Sequence, residues 1–326
     1  MPDKSSRKIG FKLFAEALPP KELVRQAVEA ERAGFDFVEI SDHYHPWLDN
    51  HGHSPFAWSV LANAAAKTET LGLVTGVTCP SMRYHPAIVA QAAATTQILS
   101  DGRFTLGVGA GERLNEHVVG QGWPEVGDRH RRFREALEII RLLWEGGYRS
   151  YRGEFLKLED ARCFDLPDEL PPIAVAAGGP QAAKLAAELG DGLFATDPDA
   201  ELVNAFEVAG GSEDAVKYAE VPLAWAPDKD AAAESAHELF RFGLLDWKVL
   251  PELQNPANFE SAASFITKDD VADAFACGPD RDDHLEAAKP FVEAGFDHLA
   301  LINAGPDVDG FFEFFANELE DQLRAL

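Results

Sequence analysis

The chain has 326 residues, of which 55 are Asp or Glu and 29 are Lys or Arg, giving a formal net charge of −26. A surface of that sign excludes a general role in holding nucleic-acid phosphates or docking on anionic membranes. With 46% hydrophobic residues the chain can build a large core, which excludes global disorder.

The acid is spread along the whole chain, and the basic residues are 17 Arg against only 12 Lys. That is the surface habit of proteins from salt-accumulating halophiles, where molar salt screens the self-repulsion, and it predicts a haloarchaeal source. Cys79, Cys163 and Cys277 are far apart and odd in number, which gives neither a disulfide framework nor a CxxC zinc site and fits a reducing cytoplasm. The first ten residues lack an apolar h-region, and no apolar run approaches about 18 residues. The expectation is a cytoplasmic protein without signal peptide, membrane partner or nucleic-acid partner.

Short β-rich runs alternate with helical patterns from end to end. Residues 8–14 form the first predicted strand, followed by a helix opening at Pro19-Pro20 with Leu23, Val24, Ala27 and Val28 as its apolar stripe. Strand 36–40, helix 55–67, strand 71–78 and helix 86–99 come next. Strand 104–108 runs into a Gly-rich turn, and helix 131–144 carries the stripe Phe133, Leu137, Ile140 and Leu143. A less regular excursion over 145–170 leads to strand 172–177, a helix from Pro180, strands 193–196 and 218–225, and helix 228–242. Residues 243–282 resist the pattern. A helix over 284–294, strand 298–303 and a last helix over 310–326 close the chain. Close to eight β-then-α units and no Gly/Ser- or Pro-rich linker predict a single α/β domain over 1–326. Its expected architecture is a (β/α)8 TIM barrel with insertions near 145–170 and 243–282 at the C-terminal face.

In such a barrel, chemistry gathers where strands finish. The second strand ends in Ser41-Asp42-His43-Tyr44-His45-Pro46-Trp47, the third in Thr75-Gly76-Val77-Thr78-Cys79-Pro80 and the fourth in Gly107-Val108-Gly109-Ala110-Gly111-Glu112. The fifth ends in Ala177-Gly178-Gly179-Pro180 and the sixth in Ala195-Thr196-Asp197. His43 and Glu112 are candidates for proton transfer, because imidazole titrates near neutrality and a carboxyl beside a Gly-rich strand end can be partly buried. The other reading of His43 is a satisfied structural histidine. Gly107, Gly109 and Gly111 lack the GxGxxG spacing of a dinucleotide fold and instead suggest bare backbone against a flat ring system. Gly178-Gly179-Pro180-Gln181 reads as a helix start with free N–H groups, either a phosphate cradle or a simple turn. His43-x-His45 and His51-x-His53 raise a metal-hydrolase alternative, but no later strand end supplies a matching His and Asp.

These residues together resemble the coenzyme F420-dependent branch of the luciferase-like barrel superfamily, in particular its glucose-6-phosphate dehydrogenases and alcohol dehydrogenases. The likeness runs through nearly the whole chain. It rests on Ser41-Asp42-His43 with Pro46-Trp47, Arg83-Tyr84-x-Pro86, Gly107 to Glu112 with Leu114-Asn115-Glu116, and Ala176-Ala177-Gly178-Gly179-Pro180. The resemblance implies a deazaflavin in the barrel mouth that exchanges a hydride at C5 with a small alcohol or sugar, and a homodimer. It implies His43 as base or charge stabiliser at the substrate hydroxyl, Glu112 as proton manager at the ring, and Trp47 as cover for the reacting centre. Implied cofactor contacts are Asp42, Gly76, Val77, Ala110, Gly111, Asn115, Gly178, Gly179, Gln181 and Ala182, with Cys79 at a position where the dehydrogenases carry Thr. It further implies a cis peptide at Gly76–Val77.

The three cations that hold the sugar phosphate in those relatives align with Asp199, Leu250 and Ala274, whereas the substrate-contact match Thr196 is retained. An Asp in a phosphate subsite repels a dianion and removes a charge-assisted bond of about 1.5–3 kcal/mol. The expected substrate is therefore an uncharged alcohol or sugar, the alternative being a sugar phosphate held by Lys248 and Arg281. A non-catalytic F420- or flavin-binding protein and an FMN-dependent monooxygenase are further alternatives. The cluster Arg129-His130-Arg131-Arg132-Phe133-Arg134 is either an attractor for an anionic cofactor tail or a helix face paired with Glu135 and nearby acids. The stretch 240–247 suggests an apolar pocket wall.

Overall fold

The computed structural model describes residues 7–246 and 248–326. Eight parallel strands carry the architecture: β1 (Lys8–Leu13), β2 (Phe37–Ile40), β3 (Gly72–Thr75), β4 (Phe104–Val108), β5 (Ile173–Ala176), β6 (Gly192–Ala195), β7 (Val216–Ala224) and β8 (His298–Asn303). Each pairs with the next, and β8 pairs back onto β1, so the sheet closes into a barrel surrounded by helices. This is the expected (β/α)8 fold.

The elements start where the local chemistry says they should. Pro20, Pro86 and Pro180 occupy the first turn of their helices, where the missing N–H leaves no partner wanting. Asp199, Asp228, Asp280 and Asp307 cap four later helices through their side chains. The chain departs from the sequence pattern at ends. The 71–78 run stops as a strand at Thr75, where the next peptide, Gly76–Val77, is cis, as the resemblance implies. The helix expected from residue 131 already begins at Val126, and the helix expected to reach 242 ends at Phe240. The C-terminal helix is broken by a π-helical turn over Phe315–Leu319.

Inside the barrel, side chains lie in layers because alternate residues of each strand point inward. One layer is apolar and packs Phe37, Val74, Ala174, Phe194, Tyr218 and Ala300 together. Two residues further along β2, β3 and β7 stand Glu39, Gly76 and Glu220, joined by Lys12 of β1. The interior therefore turns polar toward the C-terminal ends of the strands. The outer faces of the strands bury the helices through Leu23, Leu61, Phe133, Ile140, Phe311 and their neighbours.

The two irregular segments sit differently. Residues 145–170 connect a helix C-terminus to the start of β5, so they leave from the end of the barrel opposite the mouth. Their hairpin (Arg149–Arg152 with Lys157–Ala161) folds back along the wall, where Glu135 accepts N–H bonds from residues 154 to 156 and His85 meets the Lys157 carbonyl. Residues 243–282 come after β7 and the helix Lys229–Phe240, and they reach the mouth where Phe242 and Phe259 meet Trp47. They contain the helices Pro256–Ala262 and Lys268–Ala274 and a two-residue strand, Ala276–Cys277, that prolongs the edge of β7. Only this second insertion covers the mouth, and the expectation of two insertions at the C-terminal face is corrected to one. Of the expected wall over 240–247, Trp247 lies outside the described residues.

Candidate active site

The C-terminal ends of β1, β2 and β4 bring three titratable side chains into one line. Glu16, three residues beyond β1, is 1% exposed. His43, three beyond β2, places Nδ1 2.7 Å from Glu16 Oε1 and Nε2 3.7 Å from Glu112 Oε2. Glu112 reaches this point because the glycine-rich run after β4 ends on the short helix Arg113–Glu116, with Glu112 as its leading residue.

Charge balance fixes the protonation of this line. Burial opposes charge on His43, but the Glu16 carboxylate beside it, helped by Glu112, holds the imidazole above its ordinary range. Burial also opposes charge on Glu16, yet His43 and Lys12 bring its carboxyl down to about 2. Glu112 goes the other way. Burial pushes it up, His43 only partly offsets this, and the neighbouring Glu16 and Glu220 add to the rise. Its Oε2 is buried and accepts no hydrogen bond, so it stands ready to hold a proton. The set is a carboxylate, an imidazole and a protonatable carboxyl in series.

Trp47 closes over this line. Its ring meets His43 edge-on at 4.9 Å, stacks on Phe242 at 4.8 Å and takes the edge of Phe259 at 5.0 Å. Phe242 and Phe259 are buried with Leu48 and Leu114 in one apolar cluster, so the second insertion supplies a dry roof.

Asp42 lies buried beside His43, and its carboxylate is committed to the protein. Trp58 Nε1 (3.1 Å) and Thr78 Oγ1 (2.8 Å) donate to one oxygen, and Arg83 Nη2 (3.1 Å) and Tyr84 Oη (3.0 Å) donate to the other. Asn115 pins the loop after β2 by accepting from the N–H groups of Tyr44 and His45. Cys79 is buried against Ser81, and burial pushes its thiol up, which makes it inert packing. Gly111 adopts φ 89°, where a side chain would be strained, and a Cβ there would press on Cys79 Sγ. After β3 the pairing resumes at Thr78 with Val108, one residue out of step with Val74 and Thr105, so the chain bulges there, and a Cβ would strike the Thr75 carbonyl at Gly107 and the Val77 methyl at Gly109. The bulge is by itself enough to require these two glycines.

On the far side of the mouth, Gly178 and Gly179 lead into the helix Pro180–Leu189. A Cβ on Gly179 would meet nothing within 4 Å, and Gln181 and Ala182 follow Pro180 in the first turn, where N–H groups lack helical partners. Such an opening fits an anionic ligand group. Thr196 and Asp199 are exposed beyond β6, and the Asp199 side chain accepts from the N–H groups of Glu201 and Leu202. The basic cluster is engaged on the helix face. Arg129 meets Glu252, Arg131 meets Asp128 and Glu154, Arg132 meets Gln121 and Arg134 meets Glu188, whereas the expected partner Glu135 instead holds the hairpin. The two HxH pairs do not converge. His45 faces the Leu114 carbonyl and stacks on His117, and His51 faces the Leu239 carbonyl. Among the described residues, no three His, Cys, Asp or Glu side chains are gathered to hold a metal ion.

The structure brings together His43, Glu112 and Trp47, which the sequence motifs name, and adds Glu16, which stands beyond the end of β1 in no motif of its own. The motifs also miss Lys12, Glu39 and Glu220. A charge in the apolar interior of a strand was the available signal at Lys12 and Glu39.

A closed parallel barrel with an acid–base line at its mouth, a dry aromatic roof and a glycine-led helix opening has the architecture of a barrel enzyme's active site. The chain belongs to the luciferase-like monooxygenase family, whose sequence profile matches residues 7–298. It is 36% identical over 329 residues to F420-dependent glucose-6-phosphate dehydrogenase of Beutenbergia cavernae, with 98% of each chain covered. It is 37% identical over 339 residues to the enzyme of the same name from Rhodococcus erythropolis, again with 98% of each covered. Among solved structures, an F420-dependent secondary alcohol dehydrogenase in complex with an F420–acetone adduct superposes with a TM-score of 0.90 at 29% identity, covering 98% of this chain and 99% of that one.

Proposed function

We propose that this protein is a coenzyme F420-dependent dehydrogenase acting on the CH–OH group of a small, uncharged secondary alcohol or sugar. The single observation that carries the reading is His43 held between Glu16 and Glu112 at the mouth of the barrel. Both kinds of relative named above are F420-dependent dehydrogenases.

Coenzyme F420, when bound, supplies a carbon centre that exchanges a hydride with the substrate carbinol. The chain's residues do the rest. His43 accepts the hydroxyl proton at Nε2 while Glu16 holds Nδ1 and stabilises the resulting imidazolium. Glu112 holds a proton at its unpartnered oxygen, 3.7 Å from the same Nε2. Trp47, Phe242 and Phe259 exclude water from the transfer. Gly178, Gly179, Gln181 and Ala182 offer N–H groups to the cofactor's anionic tail, and Gly76, Val77, Cys79, Ala110, Gly111 and Asn115 shape the wall behind its ring. The Asp42 carboxylate orients Arg83 and Tyr84, and the Asp42 carbonyl also accepts from Arg83, so Asp42 serves the cofactor wall by fixing these two side chains.

The uncharged substrate follows from the mouth. Asp199 is an acid where a sugar-phosphate site needs a cation, Leu250 packs with the apolar roof, and Ala274 ends a helix. A second reading, a sugar-phosphate dehydrogenase with a re-sited phosphate pocket, is favoured by the glucose-6-phosphate dehydrogenase relatives. The test is the absorbance of added F420 with a panel of alcohols, free sugars and sugar phosphates. Bleaching with uncharged substrates supports the first reading, and bleaching with sugar phosphates alone transfers support to the second. Binding without bleaching under any substrate, tightly held FMN, or stoichiometric zinc each overturns both.

We further infer one domain over the whole chain, a cytoplasmic and halophilic setting, and a homodimer. The even acid and scarce Lys support the halophilic setting. The exposed apolar side chains of Tyr44, Phe56 and Ile88 near the starts of two neighbouring helices support self-association, which light scattering on the purified protein checks.

A further inference from the structure

Lys12 points into the barrel, not out to solvent, and its side chain is 7% exposed. Its ammonium has three donors, and all three are used: Glu39 Oε1 at 2.5 Å, Glu220 Oε1 at 2.5 Å and the Gly76 carbonyl at 2.9 Å. The register explains the meeting. Lys12 and Glu39 are direct partners across β1 and β2, while β7 delivers Glu220 from two strands away, past β8. Gly76 is the residue whose carbonyl begins the bulge after β3, and a Cβ on it would collide with the Glu39 carboxyl. The bulge, the acid pair and the ammonium are thus one packed unit beneath the mouth.

Such a unit is costly to build. A buried ion pair is weak evidence for stability, since the desolvation of its members can exceed their attraction. Glu39 is wholly buried and its Oε2 has no partner at all. An apolar layer like the Phe37–Tyr218 layer below it would fill the same space without that cost. The unit therefore calls for a purpose other than holding the barrel together, and its two contacts with the mouth supply one.

We propose that Lys12 is a positioning residue for the redox site: it fixes the Gly76 carbonyl that sets the cofactor-backing bulge, and it provides the fixed positive charge beneath the Glu16–His43–Glu112 line. This rests on the reading of the site given above. The charged groups facing that line are Glu16 from β1, His43 from β2, Glu112 from β4, Glu220 from β7 and Lys12 itself. Lys12 works against protonation at each of them, lowering Glu16, His43 and Glu112 together. Glu220 works the other way on Glu112. Burial and the nearby Glu220 raise Glu39 despite the pull of Lys12, which favours Glu39 as the neutral holder of the ammonium.

The experiment compares Lys12→Met, Lys12→Gln and Glu39→Gln with the parent in the full chain. Two quantities are read: the dissociation constant of F420 from quenching of its fluorescence, and the titration of the His43 imidazole by NMR in cofactor-free protein. Lys12→Met is expected to weaken F420 binding at least about 10-fold and to move the His43 titration to higher pH, because a nearby cation is gone. Lys12→Gln can still donate to the Gly76 carbonyl, so it should recover much of the affinity while keeping the upward His43 shift. Glu39→Gln retains an acceptor for Lys12 and a neutral side chain, so both quantities should match the parent. Parent-like affinity and an unmoved His43 titration in both Lys12 variants overturn the proposal. If Lys12→Met does not fold, the Lys12→Gln pair of readings decides alone. If the parent itself does not bind F420, the functional reading fails and takes the cofactor half with it, while the His43 titration still decides whether Lys12 sets the charge of the line.

Discussion

His43 Nδ1 stands 2.7 Å from the buried Glu16 carboxylate, and this contact decides which nitrogen of the imidazole is left for chemistry. With Nδ1 engaged, Nε2 is the free atom, and it faces Glu112 across 3.7 Å. A base whose other nitrogen is held by an acid keeps both its orientation and its affinity for a proton.

The pH dependence follows with a definite sign. His43 is raised, so the neutral base needed for alcohol oxidation accumulates only above the ordinary imidazole value of about 6.5. The acidic limb of the pH–rate profile should lie above that value. Glu16→Gln removes the main raising influence, so the limb should move to lower pH while turnover at its plateau falls roughly 10-fold. A profile that keeps its limb would refute the coupling.

Stability should show the same pair. A histidine raised by its partner contributes stability that is fully present below about pH 6.5 and is lost as the pH rises through the folded value. Glu16, lowered to about 2, contributes stability present above the ordinary carboxyl range and lost as the pH falls toward 2. Denaturant titrations of the parent and Glu16→Gln across pH 5 to 9 should therefore converge at the alkaline end with respect to the histidine contribution.

His43→Ala and Glu112→Gln should bind F420 within about 3-fold of the parent and lose roughly 100- to 10,000-fold in turnover. Fluorescence quenching gives the first quantity and steady-state bleaching the second. Glu112→Gln keeps the shape of the side chain but cannot give or take a proton, so unchanged turnover in that variant would remove Glu112 from the chemistry.

Asp199→Asn and Asp199→Ala separate capping from recognition. Asn keeps an acceptor for the N–H groups of Glu201 and Leu202, so it should leave stability near the parent, whereas Ala should cost about 1 kcal/mol. Neutralising the acid should leave KM for uncharged substrates within about 2-fold and lower KM for any sugar phosphate that reacts. A sugar-phosphate KM that does not move would place Asp199 outside the substrate region.

Phe259 is fully buried in the roof and carries the edge contact to Trp47. Phe259→Ala should destabilise the fold by about 3–5 kcal/mol and admit water beside His43. Phe259→Leu retains most of the apolar volume and should keep the fold while raising KM for apolar alcohols, measured by the same bleaching assay.

The sequence by itself determined the alternation of eight strands and their helices, because the burial patterns of strands and helices are local and repeat within single segments. It also located His43, Trp47 and Glu112, which stand in short motifs next to recognisable strand ends. The even acid set the chain's net charge of −26. Only the tertiary structure decided which charges answer one another. Lys12, Glu39 and Glu220 are far apart in sequence and meet because the closed sheet puts β1 between β2 and β8 and fixes their register. Glu16 becomes the partner of His43 for the same reason. Gly107 and Gly109 also gain a reason from the closed sheet, since the space beside each is filled by the chain after β3, which no local pattern names. Pairing across a closed barrel is a property of the whole ring of strands, and a segment read alone carries no record of the neighbour it will face.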